Sequence, residues 1–464
     1  MTDKQANAEQ SNVQNITLSY QQPSEFHADH LHLFSHLQRD EVQFDATLKD
    51  AIAFREAMGA LFSIVSSDYR YVPKDRSQYA AYRQMRHSHR NKGLAKAHQA
   101  YYQWLLKNDP QAWLILDPVM SVHPDKLTLE VFSKDEGCYA SLAFDHSFFK
   151  VDGDVSFGTT NIDFSAELAE GIEQIRSFHQ TQFSIGQKTT TFKTETATDL
   201  DDTEVIEKQI KVPQSWLRGF LQVQSSAQLT ADTFQLNPID LYNCLHYLRM
   251  HADIKGKRRG LRIELTPNQS PRLVLEPNDT VIEGSAAVYQ GKSAKVVRLW
   301  GRRRLALLKR FLPFAETIEV SLLGNGMPSF WTLKAKGMSL TLAVTGFTAS
   351  NWSQSLNFDL LLPRQAETLD ALTSVVQHLE KVFVAPLAKI VKNTKLTKTV
   401  VVATLQQACQ QGLVIYDIAN KVYRYRPLTE KPLDQEMFQY RLPAEALAYD
   451  LVARQKAMGE LSLK

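Results

Sequence analysis

The stretch Lys295–Trp331, KVVRLWGRRRLALLKRFLPFAETIEVSLLGNGMPSFW, decides how the rest of the chain is interpreted. Lys295–Trp300 alternates apolar and polar residues like a half-buried strand, and Thr317–Leu323 is rich in β-branched and aliphatic residues. Between them, leucines recur at helical spacing and leave the arginines and lysines mostly on other faces. Gly324–Gly326 is a turn of the kind that needs positive φ. The sequence therefore predicts a strand, a basic helix, a second strand and a glycine turn, packed as one unit with a cationic rim.

The composition is that of an ordinary globular protein. The chain has 464 residues, of which 44% are hydrophobic and 22% charged, so we expect two to four domains with large cores. A net charge of +3 is too small to indicate nucleic-acid binding by itself. Any electrostatic argument must therefore come from local clusters of charge.

The cysteines and the apolar runs bear on the cellular compartment and on membrane association. Cys138, Cys244 and Cys409 are far apart, which excludes a Cys-x-x-Cys metal or redox motif and indicates reduced thiols in a cytoplasmic protein. No signal-peptide pattern opens the chain and no apolar run approaches the length of a membrane span. We predict no membrane association and no cofactor.

Two clusters in the N-terminal third resemble sites but are more simply explained. His27, His30, His32 and His36 lie close together, yet no carboxylate or thiolate stands at a ligand spacing, so we predict no metal there. Asp135 and Glu136 adjoin at the tip of the turn Lys134–Gly137, which joins two strands in TLEVFSKDEGCYASLAFD. Since a catalytic carboxylate pair normally combines different elements, we interpret these acids as solvated turn charges.

The C-terminal third predicts a module of its own. Glu367–Ala388 is helical, a basic stretch leads to a second helix ending at Gly412, and a hairpin with its tip at Asp417–Asn420 follows. Helices followed by a two-stranded wing match a winged-helix domain, in which residues 392–411 would contain the recognition helix. Many such modules bind proteins instead, and this helix carries glutamines but no arginine.

These patterns define a multidomain α+β protein with helices packed on mainly antiparallel sheets. The predicted segments are a disordered tail over residues 1–22, an N-terminal α+β domain over 23–187, a flexible connector over 188–210, a central α+β domain over 211–364, a winged-helix-like domain over 365–430 and a C-terminal tail over 431–464.

No motif indicates catalysis. Gly324–Gly326 is not a phosphate-binding loop, because no Gly-Lys-Ser/Thr follows it. Ser329 lacks the Gly-x-Ser-x-Gly elbow of hydrolases, and no histidine is tied to a nucleophile by a recognisable motif. We therefore predict that the protein is not an enzyme.

Several separate blocks resemble the body of the bacterial SWIM zinc-finger family. They are SDYRYVPKDR, FSKDEGCYASL, GTTNIDFS, SWLRGFLQVQS, RLWGRRRLALLKRFLP, LLGNGMPSFW and NFDLLLPR, in the order of the chain. The family's Cys-x-Cys and Cys-x-His finger is absent from these residues, so no zinc ligand carries over. The resemblance implies a non-catalytic component that binds nucleic acid or protein, associated with a AAA+ ATPase and a von Willebrand factor A domain protein.

Two function classes follow. The first is a DNA- or RNA-binding or scaffolding component whose phosphate contacts are basic residues of three segments: Lys257, Arg258, Arg259, Arg302, Arg303, Arg304, Lys395 and Lys398. In the alternative interpretation of the arginines, they pair with acids such as Glu264, Glu276, Glu316 and Glu319. The second class is a purely protein-binding adaptor or substrate-recruiting subunit that docks through exposed Trp331, Phe347 and Trp352.

Overall fold

The computed structural model describes residues 18–21, 24–27, 29–37, 40–69, 118–187, 206–208, 214–251, 260–353 and 369–429. The chain forms two compact units. The first contains residues 1–213 and 230–355, and the second contains residues 214–229 and 356–464. The fold is of the α+β class, with mainly antiparallel sheets.

The first unit contains most of the strands. Its strands are β1 Leu18–Tyr20, β2 Glu25–His27, β3 His30–Phe34, β4 Phe44–Leu48, β5 Val119–Val122, β6 Lys126–Phe132, β7 Cys138–Asp145, β8 Phe149–Val151, β9 Gly158–Asn161, β10 Gln182–Gly186, β11 Ile206–Lys208, β12 Asp232–Leu236, β13 Leu261–Leu265, β14 Arg272–Leu275, β15 Thr280–Glu283, β16 Lys295–Leu299, β17 Ala315–Leu322, β18 Ser329–Ala335 and β19 Met338–Val344. Its α-helices are α1 Ala51–Val65, α2 Ala166–Ile172 and α4 Pro238–Met250, with 3₁₀ helices at His146–Phe148, Arg302–Arg310 and Leu312–Phe314.

An eight-stranded antiparallel sheet dominates this unit, in the order β12-β17-β18-β19-β7-β6-β5-β9. Its centre is the pairing of β7 with β19, which sets Cys138 opposite Val344 and Phe144 opposite Met338. The predicted boundary between an N-terminal domain over 23–187 and a central domain over 211–364 is therefore wrong, because one sheet spans both. Pairing between strands so far apart in the chain leaves no local signal in either of them.

Two smaller sheets pack into the same hydrophobic core. One is antiparallel, in the order β15-β14-β13-β16, and the other has the order β2-β3-β10-β4-β8 with β3 and β10 parallel. The opening stretch connects the first of them to the large sheet, since β16 and β17 belong to different sheets. Both predicted strands and the glycine turn are confirmed, and Gly324 and Gly326 have φ of 138° and 67°. The predicted basic helix exists, but it is a 3₁₀ helix that bridges two sheets.

Other local predictions are partly confirmed. The helical periodicity of Asp45–Ser66 predicts one helix, but this segment contains β4 followed by α1. The first turn of α1 is capped by the Asp50 side chain, which accepts a hydrogen bond from the Ala53 amide. Within the predicted tail, β1 pairs with β11, which lies in the predicted connector. The pattern of residues 75–107 predicts a further helical region, which lies outside the described residues. The rest of that connector and the rest of both predicted tails also lie outside them.

The second unit is built from α3 Gln214–Ala227, α5 Leu369–Val382, β20 Val384–Ala385, α6 Leu387–Thr394, α7 Lys398–Gln410, β21 Val414–Asp417 and β22 Val422–Tyr425. Its three strands form an antiparallel sheet in the order β20-β22-β21. Helix α3 belongs here, as shown by the Tyr416 amide, which donates to the Gln224 side chain at 2.8 Å. The sequence-based boundary had placed α3 in the central domain. Across the parts of the chain that the structure describes, no helix is long and apolar enough to cross a membrane.

Candidate nucleic-acid interface

The main candidate site is a cavity of about 730 Å³ in the first unit. It lies between α4, Trp300 and the 3₁₀ helix Arg302–Arg310, with Tyr69 and Thr348 completing the wall. Six basic side chains line it: His246, Arg249, His251, Arg302, Arg303 and Lys309. Among the described lining residues there is no acid, so the cavity favours an anionic ligand.

The 3₁₀ helix supplies a regular face of this cavity. A 3₁₀ helix has three residues per turn, so side chains at i and i+3 lie directly above one another. Arg303, Ala306 and Lys309 follow this spacing, are exposed, and all line the cavity. Leu305 and Leu308 lie on a different face and are buried in the core. The 3₁₀ geometry thus places one cation on each side of a small residue, Ala306.

Helix α4 supplies the opposite wall. It begins where Asp240 accepts hydrogen bonds from the Asn237 amide at 2.9 Å and from the Ser285 amide at 2.9 Å. Its exposed face presents Tyr242 and Arg249 to the cavity. Arg249 and Lys309 are not among the contacts predicted from the sequence. The signal for them is a basic residue on the polar face of a predicted helix, in or near the arginine-rich segment.

Arg302 is a structural residue in this arrangement. Its Nη1 donates to the carbonyl oxygen of Gly260 at 2.8 Å and to that of Glu276 at 2.6 Å. This nitrogen therefore fixes the ends of β13 and β14 beside the 3₁₀ helix. The Nη1 group of Arg302, a predicted phosphate contact, is not available for that role because it already donates to two carbonyl oxygens.

Arg304 is buried, and its predicted role as a phosphate contact is wrong. Its guanidinium binds Asp135 through two hydrogen bonds, Nη1 to Oδ1 at 2.9 Å and Nη2 to Oδ2 at 2.7 Å, and neither side chain has any exposed surface. The interpretation of Asp135 as a solvated turn charge is also wrong. Burial would raise the pKa of the Asp135 carboxyl, but the hydrogen bond and charge of Arg304, with donors from Ser133 and Gly137, hold it below its usual value.

This ion pair positions the cavity wall. Asp135 accepts the Tyr69 amide at 3.0 Å, and Arg304 donates to the Thr348 carbonyl at 2.7 Å. The Tyr69 hydroxyl in turn donates to the Arg303 carbonyl at 3.0 Å. Burial, with smaller electrostatic contributions, raises the pKa of Tyr69 to about 12, so this hydroxyl keeps its proton. One buried pair thus connects two lining residues to the helix that carries Arg303.

Other arginines near the site pair with acids, two of which, Glu264 and Glu276, the alternative interpretation had assigned to the predicted contact arginines. Glu264 pairs with Arg262 at 2.9 Å and with Arg272 at 2.8 Å, and buried Glu276 pairs with Arg298 at 2.6 Å. These cations are therefore neutralised locally. No such ion pair is formed by Arg249, Arg303 or Lys309 with any residue in the described ranges.

The aromatic docking patch is not assembled. Trp331 and Trp352 are completely buried, so neither can contact a partner. Phe347 is 45% exposed and stacks on Trp300, which is 38% exposed, with ring centroids 4.9 Å apart and an interplanar angle of 12°. Of these two stacked rings, Trp300 lines the basic cavity.

The remaining predicted contacts lie elsewhere. Lys395 and Lys398 are exposed in the second unit, at the end of α6 and the start of α7. Lys257, Arg258 and Arg259 lie outside the described residues.

The histidine cluster does not form a metal centre in the described chain, where no group of three or more candidate ligands comes together. His32 and His36 are buried, whereas His27 is exposed. Burial and the nearby His30 lower the pKa of His32 to about 4, so this ring is neutral at physiological pH.

No protein-family model matches the chain, and no curated protein matches it either. Among solved structures, a proliferating cell nuclear antigen from Entamoeba histolytica aligns with 65% of this chain and 98% of its own length. The identity is 11% and the TM-score is 0.36, too low for the likeness to inform fold or function.

Proposed function

We propose that the protein is a non-catalytic nucleic-acid-binding component whose first unit contacts phosphates through Arg249, Arg303 and Lys309. The observation that carries this proposal is the cavity with cations around it and no acid among its described lining residues. Nearby arginines are neutralised by carboxylates. Arg249, Arg303 and Lys309 therefore carry the positive charge that is available to a ligand in this cavity. Cations beside aromatic side chains are the combination that binds a nucleic-acid strand.

The second unit supplies a further contact in this proposal. Its elements follow the order helix, helix, short strand, two helices and a hairpin, and the short strand pairs with the last strand. This order supports a winged-helix module, in which α7 would be the recognition helix. Lys395 and Lys398 precede or begin that helix and are exposed, as phosphate contacts must be.

The resemblance to the SWIM zinc-finger family supports the same class. It also motivates the proposal that a AAA+ ATPase and a von Willebrand factor A domain protein are partners. An adaptor without nucleic-acid contact is the competing function, but the burial of two of its three proposed docking aromatics weakens it.

The test is binding of fluorescein-labelled oligonucleotides, measured by anisotropy at low salt, where electrostatic attraction is strongest. We expect binding with little sequence preference that weakens steeply as salt rises, because each neutralised phosphate releases counterions. The charge reversal Arg303→Glu should weaken binding to all sequences, whereas Lys292→Glu, at an exposed lysine that does not line the cavity, should have a smaller effect. Absence of binding by the unmodified protein at low salt would refute the proposal.

A further inference from the structure

The cavity has more volume than a phosphate contact requires. A phosphate contact needs only a donor in the right position, such as an arginine or lysine side chain, and does not by itself require a cavity. At about 730 Å³ the cavity instead falls within the range of sites that enclose a small molecule, about 300–1,000 Å³. We therefore expect part of the ligand to enter the cavity.

The chemistry of the wall indicates which group that is. Leu245, Leu248 and Ala306 form an apolar part, and Tyr242 and Trp300 add aromatic rings that are 48% and 38% exposed. A nucleobase has apolar faces that stack on such rings. Cations around the same cavity would then contact the phosphate of the nucleotide whose base is inside.

The aromatic wall is held in place before any ligand binds. Trp300 stacks on Phe347, its amide donates to the Gly346 carbonyl at 3.0 Å, and its own carbonyl accepts the Thr348 hydroxyl at 3.3 Å. The same loop is tied to buried Arg304. A preorganised wall lowers the cost of ordering on binding.

We infer that the cavity holds the base of one unpaired nucleotide, and therefore that the protein selects single-stranded over duplex nucleic acid. This inference rests on the proposed function. A base inside a duplex is stacked and paired, so it could enter only after unpairing, whereas an unpaired base enters without that cost. The same chemistry would accept a free nucleotide, which the experiment must distinguish from a strand.

The decisive variant is Ala306→Trp, which fills the cavity from its wall and leaves every cation in place. Ala286→Trp is the matched control, since Ala286 is also exposed but does not line the cavity. Unmodified protein should bind a single strand about 10-fold more tightly than a duplex of the same length, and Ala306→Trp should abolish that preference while duplex binding persists. Ala286→Trp should retain it.

A second variant guards against misfolding. Tyr242→Ala removes an exposed ring from α4 and should also reduce the preference, with an unchanged thermal midpoint. Competition by adenosine monophosphate distinguishes a free nucleotide from a nucleotide within a strand. We expect adenosine monophosphate to displace the labelled strand only at far higher concentration than unlabelled strand does.

The outcomes separate this inference from the proposed function. Equal affinity for single strand and duplex, or a preference that survives in both Ala306→Trp and Tyr242→Ala, would overturn the inference and leave nucleic-acid binding intact. Competition by the mononucleotide as strong as that by the strand would also overturn it, in favour of a free nucleotide. Absence of any nucleic-acid binding by the unmodified protein would refute both proposals.

Discussion

The substitution Arg304→Met tests whether the buried ion pair holds the cavity wall together. Methionine has a similar length but no charge, so it leaves the Asp135 carboxylate buried without its cation. Removing one partner of a buried pair costs about 3–5 kcal/mol, because the remaining charge is uncompensated. The absence of any exposed surface on either side chain places this pair in that class. Since a typical domain has about 5–15 kcal/mol of stability, we expect a large loss.

The measurement is urea unfolding followed by tryptophan fluorescence, at neutral and acidic pH. The pKa of Asp135 is held below its usual value, so its contribution to stability is present above the unfolded-state pKa of about 3.9 and is lost as pH falls through the folded-state value. Arg304→Met removes the main lowering interaction. The difference in unfolding free energy between the two proteins should therefore be largest at neutral pH and should narrow on acidification.

Substitution of the other partner should cost more. Asp135 also accepts hydrogen bonds from the Ser133 hydroxyl, the Gly137 amide and the Tyr69 amide. Asp135→Leu would leave these donors without an acceptor and the Arg304 guanidinium without its counter-ion, so we expect a larger loss than for Arg304→Met. A loss below about 1 kcal/mol for Arg304→Met, or one that does not change with pH, would refute the reasoning, because such values are typical of exposed pairs.

The other predictions concern the remaining cations. Arg303→Glu and Lys309→Glu should each reduce the slope of the salt dependence of nucleic-acid binding by about one unit, measured by anisotropy titration. Neither variant should change the thermal midpoint measured by calorimetry, and a lowered midpoint would show that the side chain is structural. Arg302→Glu should instead lower the thermal midpoint, because its two carbonyl acceptors would face a carboxylate; a stable variant with weakened binding would restore its role as a phosphate contact. Lys395→Glu and Lys398→Glu together should weaken binding without loss of stability, since both side chains are exposed; unchanged affinity would exclude the second unit as a contact.

The local elements of the fold were predictable from the sequence where their signal is local. The alternation in Lys295–Trp300 and the glycines of Gly324–Gly326 specify a strand and a turn whatever surrounds them, and both are present. The hairpin around Lys134–Gly137 is likewise formed by β6 and β7. These features depend on residues within a few positions of one another.

Long-range contacts were not predictable in the same way. The acids of a strand-connecting turn are usually solvated, and nothing near Asp135 indicates otherwise. Its partner is 169 residues away in the chain and reaches it only because β7 pairs with β19. The candidate cavity has the same origin, since Tyr69, α4 and the 3₁₀ helix come together through the sheets. Sequence patterns could identify the basic segment but not which of its charges remain available.

The run Arg302, Arg303 and Arg304 shows why the sequence could not identify the available charges. In a 3₁₀ helix successive side chains point about 120° apart, so three consecutive arginines occupy three different faces. Arg302 donates to carbonyls of the four-stranded sheet, Arg304 enters the core to meet Asp135, and Arg303 alone of the three is fully on the exposed side. Lys309, two turns further on, shares the face of Arg303. A cluster that looks like one basic patch in sequence therefore contains two arginines with structural contacts and one exposed arginine, and exposure along the helix follows the period of three.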